Sequence, residues 1–162
     1  MVIGDLVKLF LFLHIGGAII AFGPVFALPL MGAMSGKEPQ HANFAARASG
    51  AISTRRITPF ALSMAVTGLL LIWATGRDLT SAANYWLDLA IVVYVVTVGY
   101  ALMVQGPAGR KLVELTSQPP PPGATGPSPE LMATVKRARR GGLILMGAVT
   151  VIVFLMIFKP FA

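Results

Sequence analysis

Long apolar runs dominate the chain, and polar residues are collected in the segments between them. The runs cover residues 6–34, 57–75, 85–105 and 142–158. A helix rises about 1.5 Å per residue, so 17 to 25 residues, roughly, cross a hydrocarbon core of about 30 Å. The runs are continuous rather than alternating, which indicates helices and not the strands of a β-barrel. We predict an all-α integral membrane four-helix bundle that forms a single transmembrane domain over residues 1–162.

The composition supports a membrane protein over a soluble domain. Apolar residues make up 56% of the 162 positions and charged residues only 12%, which lies outside the usual range of soluble domains. Lys8 before the first run and small residues after it resemble the borders of a signal peptide. The apolar run is too long for one, so we expect a retained helix.

The distribution of basic residues predicts the orientation. Ten of the 13 Lys and Arg residues lie in the two segments that precede the second and fourth helices, and three lie on the other side: Lys8, Arg77 and Lys159. Short cytoplasmic loops carry the excess of positive charge, so both termini are predicted outside the cytoplasm. An aromatic belt at the outer interface is then predicted from Trp73, Tyr85 and Trp86.

The net charge of +7 does not indicate a nucleic-acid-binding protein. The positive residues flank membrane helices instead of forming one folded basic face, and attraction to anionic lipid headgroups accounts for them. The lipid bilayer is therefore the predicted partner. The absence of cysteine excludes disulfides, thiolate metal sites and cysteine nucleophiles.

The first helix is the least regular of the four. Gly23 followed by Pro24 predicts a kink or local unwinding, because proline lacks an amide hydrogen and crowds the preceding turn. Gly17 and Ala21 are four residues apart and share one helix face. We favour close packing of a neighbouring helix, rather than a broken helix lining a substrate path, as the reason for these small residues.

Two long segments connect helices on the predicted cytoplasmic side. Residues 35–56 are predicted to form a short helix on the membrane surface. Residues 107–140 form a predicted Pro-rich cytoplasmic loop whose centre, at 119–129, excludes regular helix, with residues 130–140 as a helical extension towards the fourth helix. The connection between the second and third helices is short, which indicates an antiparallel hairpin.

Candidate chemistry centres on His14. It lies in a stretch from Leu9 to Met34 without Asp, Glu, Lys or Arg. A polar group in hydrocarbon without a partner costs several kcal/mol, roughly 2 to 7, so His14 needs a hydrogen bond, a metal or a cofactor. Asp88, about one turn into the third helix, is predicted in the same half of the bilayer, where a water molecule or a ligand would bridge the pair.

Three interpretations of His14 are open. It is a structural residue in an interhelical polar network, an axial ligand of haem b iron or of a copper ion, or a proton-relay partner of Asp88. His41 is predicted on the opposite side, which excludes a bis-histidine haem, and Met31 with Met34 is a weak copper signal. No pattern of catalytic residues specifies an enzyme. The predicted members of the network are His14, Asp88, Ser63 and Thr67.

A histidine early in the first helix, followed by Gly16 and Gly17 and by Leu28-Pro29, resembles the CopD-like superfamily of small four-helix bacterial membrane proteins. The chain length, Pro107, Arg110 and the segment 154–160 are similar to a branch of predicted integral membrane proteins. The resemblance implies a multi-pass protein of the bacterial plasma (inner) membrane. HemJ-type protoporphyrinogen oxidases of this superfamily associate the histidine with haem and carry an arginine after the Leu-Pro pair. Leu30 replaces that arginine here, so the resemblance implies haem or metal binding, and the missing charge argues against oxidase activity.

The sequence thus predicts a small, non-catalytic membrane protein that binds haem b or a metal ion through His14, in electron transfer or cofactor handling. An accessory subunit without its own cofactor is the alternative. Such a subunit would pack against a larger membrane complex, for example a respiratory one, or form a homo-oligomer. A protoporphyrinogen oxidase-like enzyme is the second alternative.

Overall fold

A computed structural model describes residues 2–118 and 126–160 of the chain. It is 91% helix, and the described ranges contain no strand. Four helical segments are long and apolar enough to cross a membrane: Gly4–Lys37, Pro39–Thr75, Ala82–Ser117 and Pro129–Phe158. The all-α four-helix membrane bundle is confirmed. The side that faces the cytoplasm stays a prediction.

The four spans are divided into six α-helices. Their bounds are α1 Val2–Lys37, α2 Ala42–Ile52, α3 Thr58–Thr75, α4 Tyr85–Tyr100, α5 Gly106–Ser117 and α6 Pro129–Phe158. Short 3₁₀ turns, Pro39–His41 and Ala82–Asn84, precede α2 and α4. Two π-helical turns, Ser53–Ile57 and Ala101–Gln105, join α2 to α3 and α4 to α5.

The bundle is held by three main helix pairs, α1 with α3, α4 with α6 and α2 with α5, and α1 also packs on α6. The core is small and central, and its members are Ala21, Phe22, Ala61, Met64 and Val149, with Tyr94 packed against them. The Tyr94 hydroxyl donates to the Ala61 carbonyl, 2.5 Å away, and ties α4 to α3. Most large apolar side chains point outward, as expected where lipid and not water surrounds the helices.

The helices alternate in direction, so one end of the bundle holds the start of α1, the loop between α3 and α4, and the end of α6. We call this the hairpin end; it is the end predicted to be outside. In its loop, Arg77 Nη1 donates to Asn84 Oδ1 at 2.9 Å, and Asn84 Nδ2 donates to the Asp78 carbonyl at 2.7 Å. The hydroxyl and the backbone N–H of Thr80 both donate to the Asp78 carboxylate and lower its pKa below the ordinary value.

Proline explains both π-helical turns. Pro59 and Pro107 each follow a π-helical turn by two residues. A proline ring crowds the carbonyl four residues earlier and cannot donate to it, so the helix widens at that point and then continues. Within the predicted loop over 107–140, α5 occupies 106–117, and the predicted helical extension at 130–140 is part of α6, which begins at Pro129. The Pro-rich centre at 119–125 lies outside the described residues.

Helix α1 runs through Pro24 and Pro29 without interruption, so the predicted unwinding at Gly23 does not occur. Gly17 and Ala21 face α3. A Cβ on Gly17 would lie 3.5 Å from Met64 Cγ, and Ala21 is completely buried. The small residues of α1 therefore serve a close helix contact.

The predicted short helix within residues 35–56 is α2, which continues into α3 and packs on α5. Asn43 Nδ2 on α2 donates to Thr116 Oγ1 on α5 at 3.2 Å. Lys111 on α5 forms ion pairs with Glu114 and, on α6, with Glu130, at 3.1 and 3.2 Å. These contacts fix the end of the bundle opposite the hairpin end.

Gly141 accommodates the Gln105 side chain where α6 crosses the π-helical turn after α4. Gln105 Nε2 donates to the Ala138 carbonyl at 3.0 Å. A Cβ on Gly141 would overlap with Gln105 Oε1 and would lie 3.1 Å from the Tyr100 hydroxyl oxygen. Any side chain at position 141 would displace the amide from its hydrogen bond.

We expect Gly141→Ala to lower the free energy of unfolding by about 1 to 3 kcal/mol, the usual cost of overpacking. Thermal unfolding followed by circular dichroism in detergent measures it. Gly147→Ala is the matched control on the same helix, because a Cβ there meets nothing within 4 Å. In a Gln105→Ala background the cost of Gly141→Ala should shrink. An equal cost in both backgrounds would contradict the proposed clash.

Candidate functional site

His14 meets α3 through its imidazole ring. The ring is half-buried, and its Nδ1 lies 2.9 Å from Thr67 Oγ1. A Cβ on Gly68, the next residue, would lie 3.4 Å from His14 Cε1. The absence of a side chain at Gly68 thus leaves room for the ring beside α3, where the hydroxyl of Thr67 meets it.

The surroundings of Thr67 favour one tautomer of His14. Thr67 Oγ1 also lies 3.2 Å from the Ser63 carbonyl and 3.3 Å from the Met64 carbonyl. A threonine hydroxyl has one proton, and within a helix it commonly donates that proton to a carbonyl three or four residues earlier. It then accepts from His14, so Nδ1 carries the hydrogen and Nε2 keeps its lone pair.

The other two predicted members of the polar network do not contact His14 through hydrogen bonds. The Ser63 hydroxyl is exposed and donates to the Phe60 carbonyl at 2.8 Å. The half-buried Asp88 forms neither a side-chain hydrogen bond nor an ion pair with any described residue. Of the four predicted residues, His14 and Thr67 are the two that a side-chain hydrogen bond joins.

His41 lies far from His14. It follows α1, whose last residue, Lys37, lies about 35 Å along the helix axis from His14 at the usual rise per residue. His41 Nδ1 instead lies 3.0 Å from Glu38 Oε2. Across the described residues there is no group of three or more His, Asp or Glu side chains suited to a metal ion. Any ligand at His14 would bond to this imidazole without help from a second histidine.

An apolar groove of about 240 Å³ lies between α4 and α6, away from His14. Its walls carry aliphatic side chains and two polar ones, and the lining residues are Val92, Val93, Val96, Thr97, Tyr100, Ile144, Leu145 and Ala148. The groove opens at the side of the bundle, where acyl chains surround the helices. It adds no polar group to the site at His14.

Trp86 is a residue whose role the sequence did not reveal. Trp73 and Tyr85 of the predicted aromatic belt are 72% and 56% exposed, whereas Trp86 is only 4% exposed. The belt stays a prediction, and the Trp86 ring packs inside the protein at that end of the bundle. Trp86 is four residues before the buried Ala90, and this shared helix face was the signal for an inward ring.

The fold and the site define a multi-pass helical membrane protein with one imidazole hydrogen-bonded between two of its spans. The model of the family described as "Predicted integral membrane protein (DUF2269)" matches residues 8–160, and the chain belongs to this family. Searches of curated proteins and of solved structures found no match. Membership of this family supports an integral membrane protein, and the description of the family names no activity.

Replacing Thr67 by valine tests the contact with His14. Thr67→Val keeps the shape of the side chain and removes the oxygen that His14 contacts. We expect a loss of about 0.6 kcal/mol, and at most about 1.7 kcal/mol, in the free energy of unfolding, the range measured for interhelical hydrogen bonds in membranes.

Thr75→Val is the matched control, because Thr75 is exposed and its hydroxyl donates only to carbonyls of its own helix. A double-mutant cycle between Thr67→Val and His14→Ala isolates the coupling. A coupling energy of zero would mean that the two side chains do not interact in the folded protein.

Proposed function

We propose that this chain is a small, non-catalytic integral membrane protein that binds haem b through Nε2 of His14, in electron transfer or cofactor handling. One observation carries the proposal: Nδ1 of His14 lies 2.9 Å from Thr67 Oγ1, which also has carbonyl acceptors on its own helix. Histidine ligands commonly use one ring nitrogen for the ligand and give the other N–H to a fixed acceptor. Thr67 supplies that acceptor.

The donor set favours haem over a bare metal ion. A haem iron already has four porphyrin nitrogens and needs a single protein ligand at minimum, whereas a bare copper or zinc ion takes several protein donors. The described residues offer no group of three such donors, and the chain has no cysteine. His14 is also only half-buried, so the rest of the protein does not enclose its ring.

When bound, haem b would supply one-electron chemistry. The residues of this chain would hold the imidazole and fix its tautomer: Thr67 accepts from Nδ1, and Gly68 leaves room for the ring. A neutral imidazole oriented in this way keeps the Nε2 lone pair available. Asp88 has no described partner and is not needed for this arrangement.

We further propose that the family is a branch of the CopD-like superfamily in the bacterial inner membrane. His14 early in α1, Gly16 and Gly17 after it, and Leu28-Pro29 near its end support this relation. Leu30 stands where HemJ-type oxidases carry an arginine. The missing charge supports a binding protein over an oxidase.

An absorption spectrum of the purified protein after loading with haem tests the proposal. We expect a Soret band with saturable one-to-one binding in the wild type, and its loss or displacement in His14→Ala. His41→Ala is the matched control and should bind as the wild type does, because His41 lies beyond the far end of α1. The absence of saturable binding in the wild type, or equal binding by His14→Ala, would overturn the proposal.

A further inference from the structure

Two positive charges meet one buried indole at the hairpin end. Trp86 is 4% exposed, and Arg77 Cζ and Lys159 Nζ lie 5.4 and 5.7 Å from its ring centroid. Cation–π attraction stabilises each charge against the ring face. The contact brings the loop between α3 and α4 and the end of α6 onto the first turn of α4.

Several hydrogen-bond donors of this cluster lack an acceptor within the described residues. Trp86 Nε1 is buried and has no partner there. Among the described residues, the Lys159 ammonium has neither a hydrogen bond nor an ion pair, and the Arg77 guanidinium donates to Asn84 alone. Buried N–H groups are paired in the great majority of native structures, so an unpaired one beside two cations calls for an acceptor.

The nearby acidic residues do not neutralise the cluster. The Asp78 carboxylate accepts from Thr80 and forms no ion pair with the adjacent Arg77. Asp88, two residues after Trp86, forms none with any described residue. Within the described residues, Arg77 and Lys159 thus form no ion pair at the ring.

Lys159 is the C-cap of α6, and its backbone has the left-handed conformation in which helices commonly end. Lys159 ends α6 with φ 44° and ψ 57° and is the non-glycine residue with positive φ in the part of the chain that the structure describes. Only glycine adopts this conformation without a steric cost, and Pro160 follows, which restricts the backbone further. Strain of this kind tends to concentrate at functional sites.

We propose that Arg77, Lys159 and the indole N–H of Trp86 form a binding site for a phosphate group. The guanidinium and the ammonium supply charge-assisted hydrogen bonds to phosphate oxygens, and Nε1 supplies a neutral third. The cluster lies where the apolar spans end, at the depth of lipid headgroups, so a phospholipid or free phosphate carries the required group. The site is independent of His14 and of its ligand.

Fluorescence of Trp86 reports binding directly. The chain has two tryptophans, so Trp73→Phe leaves Trp86 as the single emitter. The protein, in an uncharged maltoside detergent, is titrated with a short-chain phosphatidylglycerol, with sodium phosphate, and with sodium chloride at matched ionic strength. We expect a saturable change in emission with a phosphate compound and none with chloride. A response to the lipid alone identifies a headgroup site, and a response to both identifies the phosphate group itself as sufficient.

Charge variants distinguish a site from general attraction. Lys159→Gln should weaken binding about tenfold, equivalent to the loss of one charge-assisted hydrogen bond. Lys8→Gln is the matched control, because Lys8 lies at the same end of the bundle but pairs with Asp5 at 3.6 Å; its effect should stay within about twofold. Arg77→Gln is the second test variant, and circular dichroism verifies that each variant is folded.

Trp86→Phe keeps an aromatic ring and removes the N–H, so it should reduce lipid retention measured by native mass spectrometry. If Trp86→Phe retained as much lipid as the wild type, the indole N–H would not take part in binding, and the proposal as stated would be overturned. The absence of a saturable response to both phosphate compounds, or equal losses in Lys8→Gln and Lys159→Gln, would also overturn it.

Discussion

The close contact of α1 with α3 is the constraint on which the site at His14 depends. Lipid tails are as apolar as the helix surfaces, so the spans associate through close packing and a few interhelical hydrogen bonds. Gly17 and Ala21 on α1 permit the approach, and Gly68 on α3 leaves room for the imidazole. In this arrangement, the His14–Thr67 hydrogen bond needs a fixed rotation and depth of both helices. A shift of either helix by one turn would displace His14 and Thr67 relative to each other by about 5.4 Å and break the contact.

The sequence was sufficient to predict the fold class and the candidate histidine. Four long apolar runs have few alternatives to membrane helices, and an imidazole inside a charge-free stretch is conspicuous. The partner of His14 was harder to predict, because it depends on which helices are neighbours and how each is rotated. Asp88 was attractive for its charge and depth, whereas Thr67 has the hydroxyl that contacts the ring. Thr67 was among the candidates only because Ser63 and Thr67 lie four residues apart on one face of α3.

Proline and tryptophan show where local rules were incomplete. Pro107 normally argues for the end of a helix, yet here a π-helical turn absorbs the missing hydrogen bond and the helix continues as α5. Trp86 has the amphipathic ring typical of an interface belt, but its face of α4 turns inward, and Arg77 and Lys159 pack on it. Charge counts predict which end of a helix meets which side of the membrane, and they contain no information about rotation. The π-helical turn follows from Pro107 itself, whereas the burial of Trp86 depends on tertiary contacts that a single helix cannot reveal.

The protonation of the His14 ring is the physical basis of the proposed ligand site, and nitrogen-15 NMR measures it most directly. The sample is the protein labelled at its histidine nitrogens in lipid, with His41 replaced so that one imidazole remains. The account predicts a pyrrole-type nitrogen with a bonded hydrogen at Nδ1 and a pyridine-type nitrogen at Nε2, with this preference lost in Thr67→Val. A wild-type ring with its hydrogen on Nε2 and a bare Nδ1 would contradict the account, because the nitrogen offered to a ligand would then be the one that faces Thr67.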